Sequence, residues 1–156
     1  MNVAELLAAA RAQGVRIATA ESCTGGMVAA ALTEVPGASD VVERGFVTYS
    51  NEAKIELLDI SPRTLEMHGA VSEEIAREMA NGALRNSYAQ LTVSVTGIAG
   101  PGGSEHKPEG RVCFAVARAG QETRSETREF GALGRAGVRA RARDHALHLL
   151  ARALQP

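Results

Sequence analysis

The stretch Val15-Arg16-Ile17-Ala18-Thr19-Ala20-Glu21-Ser22-Cys23-Thr24-Gly25-Gly26, which runs on into the small-residue segment Met27 to Leu32, decides the fold. Val15 to Ala18 reads as a strand, and Met27 to Leu32 reads as a helix. A strand that passes through a polar, glycine-ended turn straight into a helix is the repeating unit of an α/β protein. The turn also leaves backbone N–H groups unpaired at the positive end of a helix dipole, so it suits an anionic ligand or a developing oxyanion. Ser22 stands at that turn, with Cys23 beside it.

Outward from this unit, the sequence alternates. Residues 2–13 carry Val3, Leu6, Leu7 and Ala10 on one helical face, and Gly14 ends the run. Pro36-Gly37 breaks the chain after the second helix, and Phe46-Val47-Thr48-Tyr49-Ser50 has the β-branched and aromatic content of another strand. Asn51 is positioned to cap a helix that carries Lys54. Ser61-Pro62 opens a short helical turn, and Ser72-Glu73-Glu74-Ile75 opens a longer helix with Ile75, Met79 and Leu84 facing inward. Leu91 to Thr96 reads as a buried strand running into the glycine-rich loop Gly97-Ile98-Ala99-Gly100-Pro101-Gly102-Gly103. Arg111 to Ala119 and Thr123 to Phe130 read as a hairpin, and Arg135 to Leu154 as a terminal helix. Helices alternating with strands, plus one late hairpin, predict a three-layer α/β/α sandwich around a mixed, mostly parallel sheet. Ligands of such sheets gather at the carboxyl ends of the parallel strands, where the turns after Ala18, Ser50 and Thr96 would converge.

Composition sets the class. The 156 residues suit one compact domain spanning 1–156, and 45% hydrophobic with 22% charged residues is ordinary for a globular protein. With only 3% aromatic residues, the core must be built from Ala, Val, Leu and Ile. The formal charge of −1 hides an arginine-rich last third, from Arg111 to Arg152, that would attract phosphate. No aromatic stacking set accompanies those arginines, which argues against nucleic acid as a partner. Met1 to Leu7 contains Glu5 and lacks a basic or long apolar stretch, so neither a signal peptide nor a membrane span is expected. Cys23 and Cys113 form no CxxC pair, which argues against zinc and for a reducing, cytoplasmic setting. The four histidines follow no HExxH pattern, and no catalytic metal is expected.

A serine hydroxyl needs a neighbour to take its proton, and no Ser-His-Asp arrangement surrounds the glycine-rich turns. A lysine serves if burial lowers its pKa enough to keep it neutral. Lys54, in the helix after Tyr49, is placed for that role, whereas Lys107 lies in a polar loop. Each candidate also has an ordinary reading. Lys54 fits a solvated helix lysine, Ser22 or Thr24 a helix cap, Tyr49 a strand aromatic, and Gly25-Gly26 a close helix–sheet contact. Cys23 is either a rival nucleophile or a core thiol.

Four motifs occur together: Ala20 to Gly26, Gly45-Phe46-Val47-Thr48-Tyr49-Ser50-Asn51-Glu52-Ala53-Lys54, His68-Gly69-Ala70-Val71-Ser72 and Gly97-Ile98-Ala99-Gly100-Pro101. In this order they closely resemble the CinA C-terminal domain family over nearly the whole chain. The resemblance implies an amidohydrolase that converts nicotinamide mononucleotide and water to nicotinate mononucleotide and ammonia in pyridine nucleotide recycling, with no cofactor and no metal. It implies Ser22 as nucleophile, Lys54 as general base and Tyr49 as a supporting hydroxyl, by way of an acyl-enzyme. Thr24, Gly25, Gly26, Thr96 and Gly97 would hold the oxyanion and substrate, and Arg135 and Arg139 the phosphate of the nucleotide. Family members commonly self-associate, so the resemblance also implies a homo-oligomer, a dimer. The chain departs from the commoner Gly-Asp-Arg pattern in reading Leu133-Gly134-Arg135, and its Gly100 to Gly103 loop is a residue shorter than in some relatives. The family's N-terminal molybdopterin-cofactor-binding-like domain is not expected in this chain. A non-catalytic nucleotide-binding or regulatory module and an amidase for another small amide are the competing expectations.

Overall fold

A computed structural model describes residues 1–156. Its elements, in chain order, are α1 (Val3–Ala12), β1 (Ile17–Glu21), α2 (Met27–Thr33), β2 (Val42–Val47), α3 (Asn51–Leu58), α4 (Pro62–His68), α5 (Glu73–Arg85), β3 (Leu91–Gly97), β4 (Arg111–Arg118), β5 (Arg124–Glu129) and α6 (Arg135–Ala153). The five strands form one sheet in the order β2-β1-β3-β4-β5. β1 pairs in parallel with both β2 and β3, β4 is antiparallel to β3, and β5 to β4. Four strands therefore point the same way and β4 alone is reversed, which gives the mixed, mostly parallel α/β sheet.

Strand alternation builds the layers. On β3, Leu91, Val93 and Val95 face a core shared with α1, α2 and α6, containing Leu6, Leu7, Val28, Leu32, Val138 and Leu150. The intervening hydroxyls face α5 and the segment that leads into it. Thr92 Oγ1 donates to Ala80 O at 2.8 Å, Ser94 Oγ to Ala76 O at 2.6 Å, and Thr96 Oγ1 to Ala70 O at 2.9 Å. These hydroxyls are satisfied on alanine carbonyls, two of them in α5 and one, Ala70 O, in the segment ahead of it. A smaller apolar cluster of Ala20, Leu58, Ile60, Ile75, Met79 and Ala83 joins α3, α5 and the sheet on this side.

Helix starts follow local chemistry. Asn2 and Glu5 form a capping box on α1, while Ser50, Ser61 and Ser72 accept N–H groups at the starts of α3, α4 and α5. The cap of α3 is thus Ser50, one residue before the expected Asn51. Two strands are also displaced from their expected positions. β1 begins at Ile17, because Val15 N–H closes the end of α1 on Ala10 O, and it continues to Glu21 through polar residues that are nonetheless buried. β2 occupies Val42–Val47 rather than 46–50, because the chain leaves the sheet after Thr48, whose N–H still donates to Glu21 O at 2.9 Å, ahead of the Ser50 cap. No helix is long and apolar enough to cross a membrane.

Candidate active site

The carboxyl ends of β1, β2 and β3 open together onto a cavity of about 320 Å³. Ser22, Tyr49, Lys54, Gly97, Gly100 and Arg135 are among the residues that line it. A larger groove of about 460 Å³ lies between the β4–β5 hairpin and the end of α6, but it contains neither a serine–lysine contact nor any of the turns after β1, β2 and β3.

Ser22 follows β1 directly and is 9% exposed. Its N–H donates to Val95 O at 2.9 Å and its C=O accepts from Gly25 N–H at 3.1 Å, which fixes the backbone on both sides of the hydroxyl. Lys54, one turn into α3, sends its chain back toward the same point. Its Nζ lies 3.0 Å from Ser22 Oγ, 2.9 Å from Thr48 O and 3.4 Å from Tyr49 O. Lys54 is 1% exposed. That burial lowers its pKa below the ordinary lysine value, against smaller opposing pulls from Cys23 and Glu105. Cys23 exerts its pull only as a thiolate, and burial pushes its thiol up to about 12, so at neutral pH desolvation dominates. Cys23 lines the cavity from below and packs with the cluster under α2 and α6.

The turn itself is ordered by Glu21, a residue whose part sequence reasoning missed. Its carboxylate is fully buried and accepts from Thr24 Oγ1 at 2.5 Å, Gly26 N–H at 3.3 Å, Val28 N–H at 2.9 Å and Ala29 N–H at 3.0 Å. Neither Ser22 nor Thr24 is the N-cap of α2; the cap position is Gly26, in the left-handed region at φ 106°, and Glu21 supplies the acceptor. The first amides of α2 are therefore occupied. Gly25 N–H is also taken, and only the Cys23 and Thr24 amides in this turn donate to no other protein group. The sequence marks Glu21 only as a lone carboxylate at the end of a buried strand, ahead of a helix N-terminus, and not by the amides it takes.

The remaining predicted site residues divide. Tyr49 is 61% exposed, and its hydroxyl accepts from Arg135 Nη2 at 2.6 Å instead of joining Ser22 and Lys54; its carbonyl is the part that reaches Lys54. Arg135 also donates to Gly100 O at 2.7 Å, bridging the rim of the cavity. Arg139 lies beneath the turn, donating to Cys23 O at 3.0 Å and Thr24 O at 3.4 Å, with its guanidinium close against Gly25. Thr96 lines the cavity but gives its hydroxyl to Ala70 O, and Gly97 sits where a Cβ would strike Val112. His145 and His148 lie away from the cavity; His145 Nε2 is 2.9 Å from Glu126. No group of three His, Cys, Asp or Glu residues is arranged to hold a metal ion.

Comparison with known proteins places this geometry. The family model described as the CinA C-terminal domain matches residues 2–154. The nicotinamide-nucleotide amidohydrolase PncC of Escherichia coli K12 is 55% identical over 112 residues, covering 71% of this chain and 68% of that protein. A CinA-like protein of Mycobacterium marinum is 53% identical over 140 residues, covering 89% of this chain and 33% of the relative. The chain spans about a third of the length of the CinA-like relatives it matches. The crystal structure of the competence/damage inducible protein CihA from Agrobacterium tumefaciens superposes with a TM-score of 0.93 at 44% identity, covering 97% of this chain and 92% of that one. The serine-bearing turn, the strand-end cavity and the whole sheet around them thus lie within a matched region, and the chain belongs to the CinA C-terminal domain family.

Proposed function

We propose that this chain is an amidohydrolase that converts nicotinamide mononucleotide and water to nicotinate mononucleotide and ammonia, with Ser22 as nucleophile and Lys54 as general base. The observation that carries the reading is the 3.0 Å contact between Ser22 Oγ and the Nζ of a buried lysine at a strand-end cavity. Similarity to PncC supports the choice of substrate.

The hydrogen bonds of Lys54 suit a base. A neutral amine has two N–H donors and one lone pair. If the donors go to Thr48 O and Tyr49 O, the lone pair points at the Ser22 hydroxyl. Lys54 then takes the Ser22 proton as Oγ attacks the amide carbon, and the charge on the carbonyl oxygen falls to the uncommitted Cys23 and Thr24 amides. The C–N bond breaks as the Lys54 ammonium returns the proton to the leaving nitrogen, releasing ammonia and leaving an ester on Ser22. Water, deprotonated by Lys54, attacks that ester; Ser22 Oγ leaves and recovers the proton. At the cavity rim, Arg135 still has guanidinium hydrogens beyond its two bonds and offers them to the phosphate.

Ammonia release from nicotinamide mononucleotide by purified protein tests the assignment. Ser22→Ala and Lys54→Ala should each lower kcat by about a thousandfold or more, in the range of losing a nucleophile or its base. Cys23→Ala should retain turnover. Activity surviving Ser22→Ala overturns the mechanism, and nucleotide binding by the wild type without ammonia at any pH turns the reading to a binding module.

A further inference from the structure

The loop after β3 and the start of α6 are tied together by one side chain. Glu109 Oε1 accepts from Gly102 N–H at 2.7 Å, and Glu109 Oε2 accepts from Gly134 N–H at 2.8 Å. Gly134 is the N-cap of α6, and the carboxylate from a distant loop holds the N–H of that cap residue, which ties the start of the helix to the loop. Gly100, at φ 90°, makes room for it: a Cβ there would lie 2.6 Å from the Glu109 carboxyl carbon. The backbone beside Glu109 is fixed as well, because Gly110 N–H donates to Ile98 O at 2.8 Å and Gly110 O accepts from Phe130 N–H at 2.8 Å.

The next residue of α6 after Gly134 is Arg135, which grips Gly100 O on the loop and Tyr49 Oη on the opposite rim. One carboxylate therefore sets the distance between the loop that Arg135 holds and the helix from which Arg135 extends. We infer that Glu109 is a positioning residue for the anion-recognising end of the cavity: it holds Arg135 across the rim and so selects for the phosphorylated form of the substrate. Both bonds of the Arg135 guanidinium go to neutral oxygens, which leaves its charge available to a phosphate. The inference rests on the amidase reading for the identity of that substrate, although not for the clamp.

The test compares nicotinamide mononucleotide with nicotinamide riboside, which lacks the phosphate. Glu109→Ala should raise KM for the nucleotide about tenfold through misplacement of Arg135, leaving its kcat and the kcat/KM for the riboside within about twofold. Glu109→Gln keeps the size and one acceptor oxygen, so it should fall between. Circular dichroism checks folding; should the alanine variant unfold, the glutamine variant carries the comparison. Equal losses on both substrates, or no change in KM, overturn the assignment. If the wild type releases no ammonia, the amidase reading falls separately, and calorimetric titration with the same two compounds decides the clamp. The ratio of nucleotide to riboside affinity should then shrink about tenfold in Glu109→Ala. An unchanged ratio, or no nucleotide binding by the wild type, overturns it.

Discussion

At the scale of single residues, Lys54 is the group whose environment does most for the proposed chemistry. Its pKa is lowered by burial, and the unfolded chain has no such burial. Between the folded and unfolded values the unfolded state binds the proton more tightly, so stability rises with pH across that window, and the burial penalty is fully felt below it. Activity should follow the same ionisation. The rate constant kcat/KM climbs with pH through the folded Lys54 value, below 10.5, as the neutral amine becomes populated. Lys54→Arg keeps a long cationic chain that cannot lose its proton, so it should be inactive at every pH; ammonia release by that variant would sink the base assignment. Ser22 and Lys54 were legible in the sequence as candidates, because a nucleophile and a base are sought by residue type and by the strand-to-helix turn. The paths of Tyr49 and Glu21 were not. A tyrosine in a strand-like segment does not reveal whether its hydroxyl or its carbonyl faces the lysine, and a carboxylate in a motif does not reveal that its partners are the amides of the following helix.

At the scale of elements, existence was easier to read than extent. β2 ends at Val47 because the next two carbonyls are directed at Lys54 Nζ, a demand that no local propensity records. β3 and β1 are both buried on both faces, but β3 alternates apolar residues with hydroxyls that meet different sides of the sheet, whereas β1 ends in polar residues that are buried all the same. Gly82 tests the tertiary control of such an element. Inside helix α5 a glycine costs roughly 0.5–1 kcal/mol relative to alanine, so propensity alone favours Gly82→Ala. Yet a Cβ on Gly82 would lie 2.0 Å from Leu58 O, at the end of α3, the helix that carries Lys54. Gly82→Ala should therefore destabilise the protein, by about 1–3 kcal/mol as in other overpacked sites, with a lower urea midpoint at unchanged slope. Because α3 has to shift, kcat should fall as well. A stabilised variant with full activity would show that the α3–α5 contact yields without consequence.

At the scale of the whole molecule, the small-residue composition leaves the packing dependent on very few large side chains. Phe114 on β4 is the only fully buried aromatic ring, and it stands edge-on to Phe130 at 6.3 Å and to His145 at 4.7 Å between centroids. It belongs to the same apolar cluster as Cys23, Val95, Ala99 and Val138, which underlie the serine turn, the glycine loop and the first turns of α6. Phe114→Ala should cost about 3–5 kcal/mol and Phe114→Leu less than about 1.5 kcal/mol, because alanine leaves a cavity that alanine and valine neighbours cannot fill. The larger loss is a substantial part of the 5–15 kcal/mol that holds an ordinary domain folded. If the cluster makes the chain one cooperative unit, the damage reaches the distant cavity only through global unfolding. Far-UV circular dichroism and tyrosine fluorescence, which reports Tyr49 at the cavity rim together with Tyr88, should then lose their signals at a common urea midpoint in both the wild type and Phe114→Ala. A tyrosine transition that precedes loss of helix in the variant would show instead that the strand-end turns unfold ahead of the sheet that carries them.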